Sequence, residues 1–182
     1  RFERISGGHF WLSETPDEPG SRGWDAACVR MVSWVMLADC EAPGRRFLFA
    51  NTHFDHRGAE ARLASARLLD ARLRDLAKGA PVILTGDFNC TEDDAPYRVL
   101  VGEAPRLVDA HRKAHPQRSP LERTGAGWGG KREGSRIDWI LHSSEWTTLH
   151  ALIDVTNDDG RYPSDHFPVE AVLRLGIEVS SR

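Results

Sequence analysis

The sequence is short of several features, and each shortage removes a class of protein. Three cysteines, Cys28, Cys40 and Cys90, are an odd number without metal-ligand spacing. We therefore expect small buried or half-buried thiols rather than a disulfide pair or a nucleophile. No apolar run approaches the roughly 20 residues of a transmembrane helix. A formal net charge of -3 gives no bulk steering of nucleic acid, although a local basic groove stays compatible with it.

The 182 residues can bury one sizeable core, and we expect a single domain over residues 1–182 and a monomer. No internal repeat or linker is visible. The chain opens at Arg1 without a methionine and runs at once into strand-like sequence, so we expect its true start to be missing. For that reason cytoplasmic and secreted locations both stay open.

Apolar runs and helical periodicity predict strands with interspersed helices. A helix is predicted from about Gly58 to Lys78, with Gly79 at its end, and a shorter helix begins at residues 94–96. Residues 115–134, rich in Pro, Gly, Arg and Ser, predict a long surface loop. Together these elements indicate a layered α/β domain. The predicted strands cover residues 9–12, 26–38, 46–50, 81–84, 137–141, 149–155 and 169–175.

Four short stretches each join an apolar run to polar groups at a strand end. They are residues 51–56 (NTHFDH), 85–89 (TGDFN), 136–141 (RIDWIL) and 163–166 (PSDH). Because strands are rigid, groups at their ends are held in place at little entropic cost. Two histidines, three carboxylates and one amide delivered in this way indicate one site for metal-assisted hydrolysis of a phosphate ester.

Phosphodiesters resist hydrolysis because their negative oxygens repel a nucleophile and the leaving alkoxide is poor. An enzyme therefore needs a cation, a base for water and help for the leaving oxygen. Asp87 and Asn89 lie two apart, so an extended segment would direct both side chains to one face. Asp87 can take the proton from water, and the neutral amide of Asn89 can hold the phosphate or the water.

Asp165 and His166 are adjacent, and adjacent side chains on an extended backbone diverge, so we expect different roles for them. A hard cation prefers carboxylate oxygen, which assigns Asp165 to the metal. His166, oriented by Asp138, can stabilise the phosphorus or act as acid or base. Asp138 lies in an apolar strand, where an unpaired charge would be costly. His53 is left to donate to a phosphate oxygen or to assist the leaving group.

Several residues keep structural alternatives. Each motif alone also fits a strand end, a local turn or half of a salt bridge. We expect Asp55 and His56 to cap the next helix or to face solvent rather than to bind a metal. Trp128 lies among glycines, and stacking on a substrate ring or on the protein are both open. Seven basic residues near the loop fit either a polyanionic substrate or a solvated surface: Arg112, Lys113, Arg118, Arg123, Lys131, Arg132 and Arg136.

Taken together, the motifs from about Phe10 to Leu175 resemble the endonuclease/exonuclease/phosphatase superfamily of metal-dependent phosphoesterases. Residues 10–16 and 23–27 resemble a bacterial branch near its deadenylase-like members. The resemblance implies a four-layered α/β sandwich, in which two mostly antiparallel sheets pack face to face and helices cover the outside. It also implies Mg²⁺ or Mn²⁺ and a phosphodiester substrate, with nucleic acid among the open partners.

The resemblance also carries roles to individual residues. His53 matches a phosphate-contacting histidine, Asp87 the water-activating aspartate and Asn89 an amide that positions phosphate. Asp138 matches the carboxylate paired with the catalytic His166. We expect the cation at three residues: Asp165, Asp87 and Asn89. The family's metal-binding glutamate comes from strands upstream of Arg1, so the domain is expected to be N-terminally incomplete and weakly active.

Three functions remain after this reasoning. The leading one is a metal-dependent phosphodiesterase or nuclease, such as a 3′–5′ exonuclease. A second keeps the chemistry but acts on a lipid headgroup or a small phosphorylated metabolite. A third is a binding domain without turnover, which the intact set of catalytic residues disfavours. The substrate, and the choice between endonuclease, exonuclease and phosphatase, cannot be read from the loops.

Overall fold

A computed structural model describes residues 1–102 and 107–176. The helices in this part of the chain are Ala59–Ala77 (α1), Ala95–Val101 (α2) and Ala110–Ala114 (α3). None of them is both long enough and apolar enough to cross a membrane. The strands are Phe2–Trp11 (β1), Met31–Asp39 (β2), Arg46–His53 (β3), Val82–Asp87 (β4), Val108–Asp109 (β5), Asp138–His142 (β6), Trp146–Ile153 (β7) and Val169–Leu175 (β8).

Six strands form one mixed sheet in the order β1-β2-β3-β4-β6-β5. β3 and β4 are parallel, and the other neighbours are antiparallel. α1 lies between β3 and β4 in the chain and supplies the crossover that a parallel pair needs. Gly86 allows the close approach of these two strands, because a Cβ there would collide with the carbonyl oxygen of Thr52.

Alternation along the central strands divides the large sheet into two faces. One face packs against α1, and its side chains form the main apolar core. Burial of this face stabilises the sheet and fixes its register, since a slip of one residue would expose the whole row. The buried residues of this core include Val32, Leu48, Ala50, Leu84 and Leu141 from the sheet, and Ala66, Leu69, Leu73 and Ala77 from α1.

The second sheet consists of the antiparallel strands β7 and β8 and lies against the opposite face. The ring of Phe47 on β3 meets Trp146 on β7 edge-on, with centroids 5.2 Å apart. His142 Nε2 on β6 lies 2.7 Å from Thr148 Oγ1 on β7. Two facing, mostly antiparallel sheets with helices outside confirm the predicted α/β fold class.

The long helix is confirmed within a residue at each end. Lys78 adopts a left-handed conformation with φ 48°, and its N–H bonds to the Arg74 carbonyl, so it closes α1 just before Gly79. At the other end the backbone N–H groups of Glu60 and Ala61 donate hydrogen bonds to the Asp25 carboxylate. This cap comes from a distant segment, and the local sequence gave no sign of it.

Other sequence predictions were wrong. Only Cys90 is buried, whereas Cys28 and Cys40 are exposed, because they lie in the loop before β2 and at the turn after it. β2 begins at Met31 rather than at residue 26, and β1 extends back to Phe2. β5 and α3 were not predicted from the sequence, because segments of two and five residues are too short to show a periodic pattern.

Candidate active site

Strand register gathers three of the predicted side chains into one row. His53 on β3 pairs with Asp87 on β4, and Asp87 pairs with Asp138 on β6. β3 and β4 end at this row, whereas β6 begins there and His166 precedes β8. Thus two motifs follow a strand and two precede one, but the antiparallel direction of β6 brings them to the same edge of the sheet.

Each of these catalytic candidates is followed directly by a buried aromatic residue: Phe54, Phe88, Trp139 or Phe167. Phe88 stacks on Trp139 with centroids 4.4 Å apart, and Phe54 meets Phe88 edge-on at 5.0 Å. Because neighbouring strand residues point to opposite faces, the buried rings hold the polar side chains on the open face. This alternation explains how an apolar core positions a polar site.

The polar groups lie close together at a cavity of about 530 Å³. His53 Nε2 is 3.1 Å from Asp87 Oδ2, and His166 Nε2 is 4.0 Å from the same oxygen. His166 donates from Nδ1 to Asp138 Oδ2 at 2.9 Å. This hydrogen bond orients the imidazole so that the other ring nitrogen, Nε2, faces Asp87, as expected for a histidine oriented by a carboxylate.

The environment changes the proton affinity of each partner. Burial raises the pKa of Asp138. Hydrogen bonds with Thr124 and His166 act to lower this pKa, but burial and the negative charge of Asp87 outweigh them. Burial alone would lower the pKa of His166, but the hydrogen bond and charge of Asp138, with Asp87 and Asp165, outweigh it and raise the pKa. Burial lowers the pKa of His53, and the charge of Arg30 adds to that effect.

Asn89 is not on extended backbone, so the argument that placed it on one face with Asp87 was wrong. Its φ is 48°, and its N–H donates to Asp87 Oδ1 at 2.9 Å in a tight turn. Its side-chain nitrogen donates to the Phe54 carbonyl at 3.0 Å. These bonds lock the loop after β4, while the side-chain oxygen of Asn89 keeps its acceptor capacity.

The structure does not bring Asp165, the predicted metal ligand, into the close group of ligand atoms formed by Asp87, Asp138 and His166. The residue is exposed, and its carboxylate lies 3.4 Å from the Ser164 hydroxyl, which can donate to it. Its backbone carbonyl accepts from the N–H of Gly127, which ties the histidine loop to the long surface loop. Its negative charge adds to those of Asp138 and Asp87 in raising the pKa of His166.

The acidic and imidazole groups of the site could hold a divalent cation. Asp87, Asp138 and His166 offer ligand atoms that lie within 4.8 Å of one another. Magnesium ligands lie about 2.1 Å from the ion, so opposite ligands are about 4.2 Å apart. The carboxylate oxygens are the donors that a hard cation prefers, and the three groups are close enough to share one ion.

Thr124 belongs to the site, although sequence reasoning did not select it. It is fully buried, and its Oγ1 accepts from the backbone N–H groups of Ile137 and Asp138 at 3.0 and 3.2 Å. Arg30, which depresses the pKa of His53, was also missed. Neither residue lies in a motif, and only the folded chain brings them to the site.

A buried network of charges lies behind the site. Arg136 has no exposed side-chain surface and binds the carboxylates of Glu92 and Asp109. Glu92 also pairs with Arg112 at 2.8 Å, and Arg112 pairs with Glu122 at 2.7 Å. Glu92 lies three residues after Asn89 and Arg136 two before Asp138, so the network joins the loop after β4 to the start of β6.

Asp55 stabilises the entry to α1, in agreement with the expectation of a capping role. Its buried carboxylate accepts from the backbone N–H groups of Cys28, Arg57 and Gly58. Burial alone would raise the pKa of Asp55, but these bonds hold the pKa well below its usual range. Asp55, Cys28 and His56 are also close enough to share a metal, yet the carboxylate is already used by the backbone.

Fold and site together define a class: a two-sheet α/β protein with carboxylates and imidazoles at one sheet edge, suited to phosphoester chemistry. A family model described as the Endonuclease/Exonuclease/phosphatase family matches residues 2–166. The chain belongs to this family, whose named activities all act on phosphoester bonds.

Solved structures agree with this assignment. A mannosyl-6-phosphatase from Bacteroides thetaiotaomicron superposes with a TM-score of 0.85 and 35% identity, covering 96% of this chain and 68% of that chain. The human nocturnin catalytic domain gives a TM-score of 0.74 at 24% identity, covering 96% of this chain and 60% of that one. The second likeness shows the fold alone.

Curated relatives match over part of their length. Nocturnin of Rattus norvegicus is 27% identical over 153 residues, which cover 77% of this chain and 35% of the relative. Protein angel of Drosophila melanogaster is 28% identical over 118 residues, covering 62% and 32%. The chain spans about a third of the length of these curated relatives.

Proposed function

We propose that the chain is a divalent-metal-dependent phosphoester hydrolase that directs an activated water at phosphorus. The observation that carries the proposal is the position of the Asp87 carboxylate, 3.1 Å from His53 and 4.0 Å from His166. In this arrangement the carboxylate can take the proton of the attacking water, while the two imidazoles on either side of it contact the phosphoryl oxygens. The bond from His166 to Asp138 fixes one of those imidazoles in place.

In this mechanism each side chain has one task. Asp87 takes the proton of the attacking water. His166, whose raised pKa favours the imidazolium, stabilises negative charge on the phosphoryl group. His53, whose lowered pKa favours the neutral ring, donates an N–H to a phosphoryl oxygen or to the leaving oxygen. A cation beside Asp87, with Asp138 as a neighbouring carboxylate and with Asn89 and Asp165 as the further oxygen donors expected from the sequence, would offset the charge of the phosphate.

Substitution of the proposed base tests this mechanism. Asp87→Ala should lower the rate of bis-p-nitrophenyl phosphate hydrolysis, measured with Mg²⁺ or Mn²⁺, by about 10²–10⁴-fold, the usual worth of a general base. His166→Ala should also lose turnover, while far-UV circular dichroism stays unchanged for both. Asp17→Ala is the matched control, since Asp17 forms an exposed ion pair with Arg72. Wild-type rates in both site variants would reject this site as the source of turnover, whereas no turnover in the wild-type chain itself would favour a binding domain.

A specific observation favours a small phosphorylated metabolite over a polyanion. Three of the seven basic residues near the long loop are paired with acids: Arg112 and Arg136 in the buried network, and Arg118 with Asp93 and Glu92. Arg123 donates to the backbone carbonyl of Gly125. Three of the seven positive charges near the loop are thus neutralised within the protein, which weakens the case for a surface that binds nucleic acid.

The likeness to a sugar phosphatase at 35% identity points the same way. We therefore place hydrolysis of a small phosphate monoester beside the nuclease activity that the family's description names. A panel of mannose 6-phosphate, inositol phosphates, sphingomyelin, single-stranded RNA and DNA separates them. Turnover of the monoesters alone would support the metabolite function, and turnover of nucleic acid alone would reject it.

A further inference from the structure

The long surface loop carries a short turn with a tryptophan at its tip. We call residues 126–131 the tryptophan turn. The N–H of Gly130 bonds to the Gly127 carbonyl at 3.1 Å, and the N–H of Lys131 bonds to the Ala126 carbonyl at 2.9 Å. These two bonds close a defined turn in which Trp128 follows Gly127. The backbone of Trp128 is therefore fixed, although its side chain is not buried.

Trp128 leaves 68% of its surface exposed, more than any other large apolar residue in the described part of the chain. Single exposed apolar residues are common, but a tryptophan usually buries most of its large ring. The glycines at 127, 129 and 130 around it provide no side chains that could cover the indole. The turn thus presents an open aromatic face to solvent.

This turn is fastened to the segment that carries His166. The N–H of Gly127 bonds to the carbonyl of Asp165 at 2.8 Å, directly before His166. Just upstream of the turn, a Cβ on Gly125 would lie 3.6 Å from the His166 ring. Trp128 is one residue beyond the bond to Asp165, which keeps its backbone close to the segment that carries His166.

A second brace comes from Tyr162. Gly130, at φ +65°, lies so close to the Tyr162 ring that a Cβ there would overlap it. Tyr162 in turn meets Phe167 edge-on with centroids 5.5 Å apart. Since Phe167 is buried and adjacent to His166, the turn and the catalytic loop rest on the same aromatic pair.

We propose that Trp128 is a ring-binding subsite, on which the leaving group of the phosphoester stacks while its phosphate lies at Asp87 and His166. The ligand chemistry is a flat or cyclic group joined to phosphate through an ester oxygen, supplied by either a sugar or a nucleobase. An indole face suits both, since stacking depends on a flat apolar surface rather than on particular hydrogen bonds. The effect of the subsite on turnover rests on the proposed function, whereas the binding of a ring at Trp128 does not.

Steady-state kinetics test the link to turnover. Trp128→Ala should raise the Michaelis constant about tenfold for mannose 6-phosphate or for adenosine 5′-monophosphate, within the range of one stacking contact. It should leave kcat within about twofold and leave glycerol 1-phosphate, which has no ring, unchanged. Trp128→Phe should keep most of the affinity. The matched control is Leu149→Ala, because Leu149 is also an exposed apolar residue, 53% exposed, but lies on β7.

A binding measurement without turnover separates the subsite from the proposed activity. Saturation-transfer NMR with adenosine and with methyl mannoside, which carry rings but no phosphate, should show contact in the wild-type chain and in Leu149→Ala. Trp128→Ala should lose it, and the ring that gives the signal identifies its source. If no phosphoester is turned over, the proposed function fails while this arm still decides the subsite. Equal effects on ring and ringless substrates, or an unchanged NMR signal in Trp128→Ala, would overturn it.

Discussion

At the scale of single residues, the proton affinity of His166 depends on one neighbour. Burial opposes a charged imidazole, and the Asp138 carboxylate more than compensates through a hydrogen bond of 2.9 Å and its negative charge. Asp138 is itself half-buried, so its interaction with His166 is less screened than a surface pair would be. The balance between these two effects can be measured directly.

Replacing Asp138 with Asn should lower the pKa of His166 below its wild-type value. The substitution keeps the shape of the side chain but removes the charge that stabilises the imidazolium, so burial then dominates. NMR titration of the His166 ring protons, with a chelator present to exclude metal, measures the change. Asp154→Asn, at a half-buried carboxylate directly after β7, serves as the control, and a His166 pKa that moves equally in both variants would reject the pairing.

The Asp138–His166 pair and its neighbours could be selected from sequence because each residue lies in a short contiguous motif. His53, Asp87, Asp138 and His166 were each selected from local stretches, and the strand register then brought them together. Thr124 could not be found this way, since its role is to accept two N–H groups from a strand some 13 residues away. The conformation of Asn89 also escaped prediction, because strand pairing ends at Asp87.

At the scale of elements, the buried charges behind the site hold several segments together. Arg136 connects Glu92, in the loop after β4, with Asp109 at the start of α3. Glu92 has its pKa lowered to about 2, since hydrogen bonds and charge from Arg112 and Arg136 overcome the effect of burial. An interior ion network of this kind is costly to break because its remaining members stay buried and charged.

Arg136→Met should therefore lower the free energy of unfolding by about 3–5 kcal/mol, the usual cost of removing one partner from a buried pair. Urea denaturation followed by circular dichroism measures it. Arg161→Met is the matched control, because Arg161 pairs with Asp158 while both side chains are largely exposed. The control should cost no more than about 1 kcal/mol. Similar losses in the two variants would show that the interior network has no special weight.

The ion pairs also explain why counting charges along the sequence could not decide what the basic residues do. Sequence left Arg112, Arg118 and Arg136 open between a polyanion site and a solvated surface, because their acidic partners lie elsewhere in the chain. Helix α1 was predictable since its apolar spacing is local, whereas β5 exists through two residues that pair with β6. Elements fixed by distant contacts carry little signal in their own residues.

At the scale of the whole molecule, groups with shifted pKa values set how stability varies with pH. The raised pKa of His166 contributes stability below its ordinary value, and that contribution is lost as the pH rises through the raised value. His111 acts in the opposite direction, because burial and then the charge of Arg136 lower its pKa from 6.5 to about 4. The two histidines together favour greatest stability near neutral pH.

His111 should therefore make the protein less stable as the pH falls from about 6.5 to about 4. Its side chain is 7% exposed and lies 3.7 Å from Glu122, so the folded state keeps it neutral while the unfolded chain takes up a proton. Free energies of unfolding from urea titrations at several pH values should fall across this window. His111→Gln should flatten that fall, and His150→Gln, at an exposed position on β7, should not.

Glu92 supplies an internal check on the same curve. Its lowered pKa gives stability that is complete above its ordinary value of 4.5 and is lost as the pH falls toward about 2. The loss due to His111 therefore comes first on acidification, and the loss due to Glu92 follows in a separate window. If His111→Gln altered the slope only below pH 4.5, the neutral buried histidine would not be its cause. The decline above that pH would then have to come from other groups.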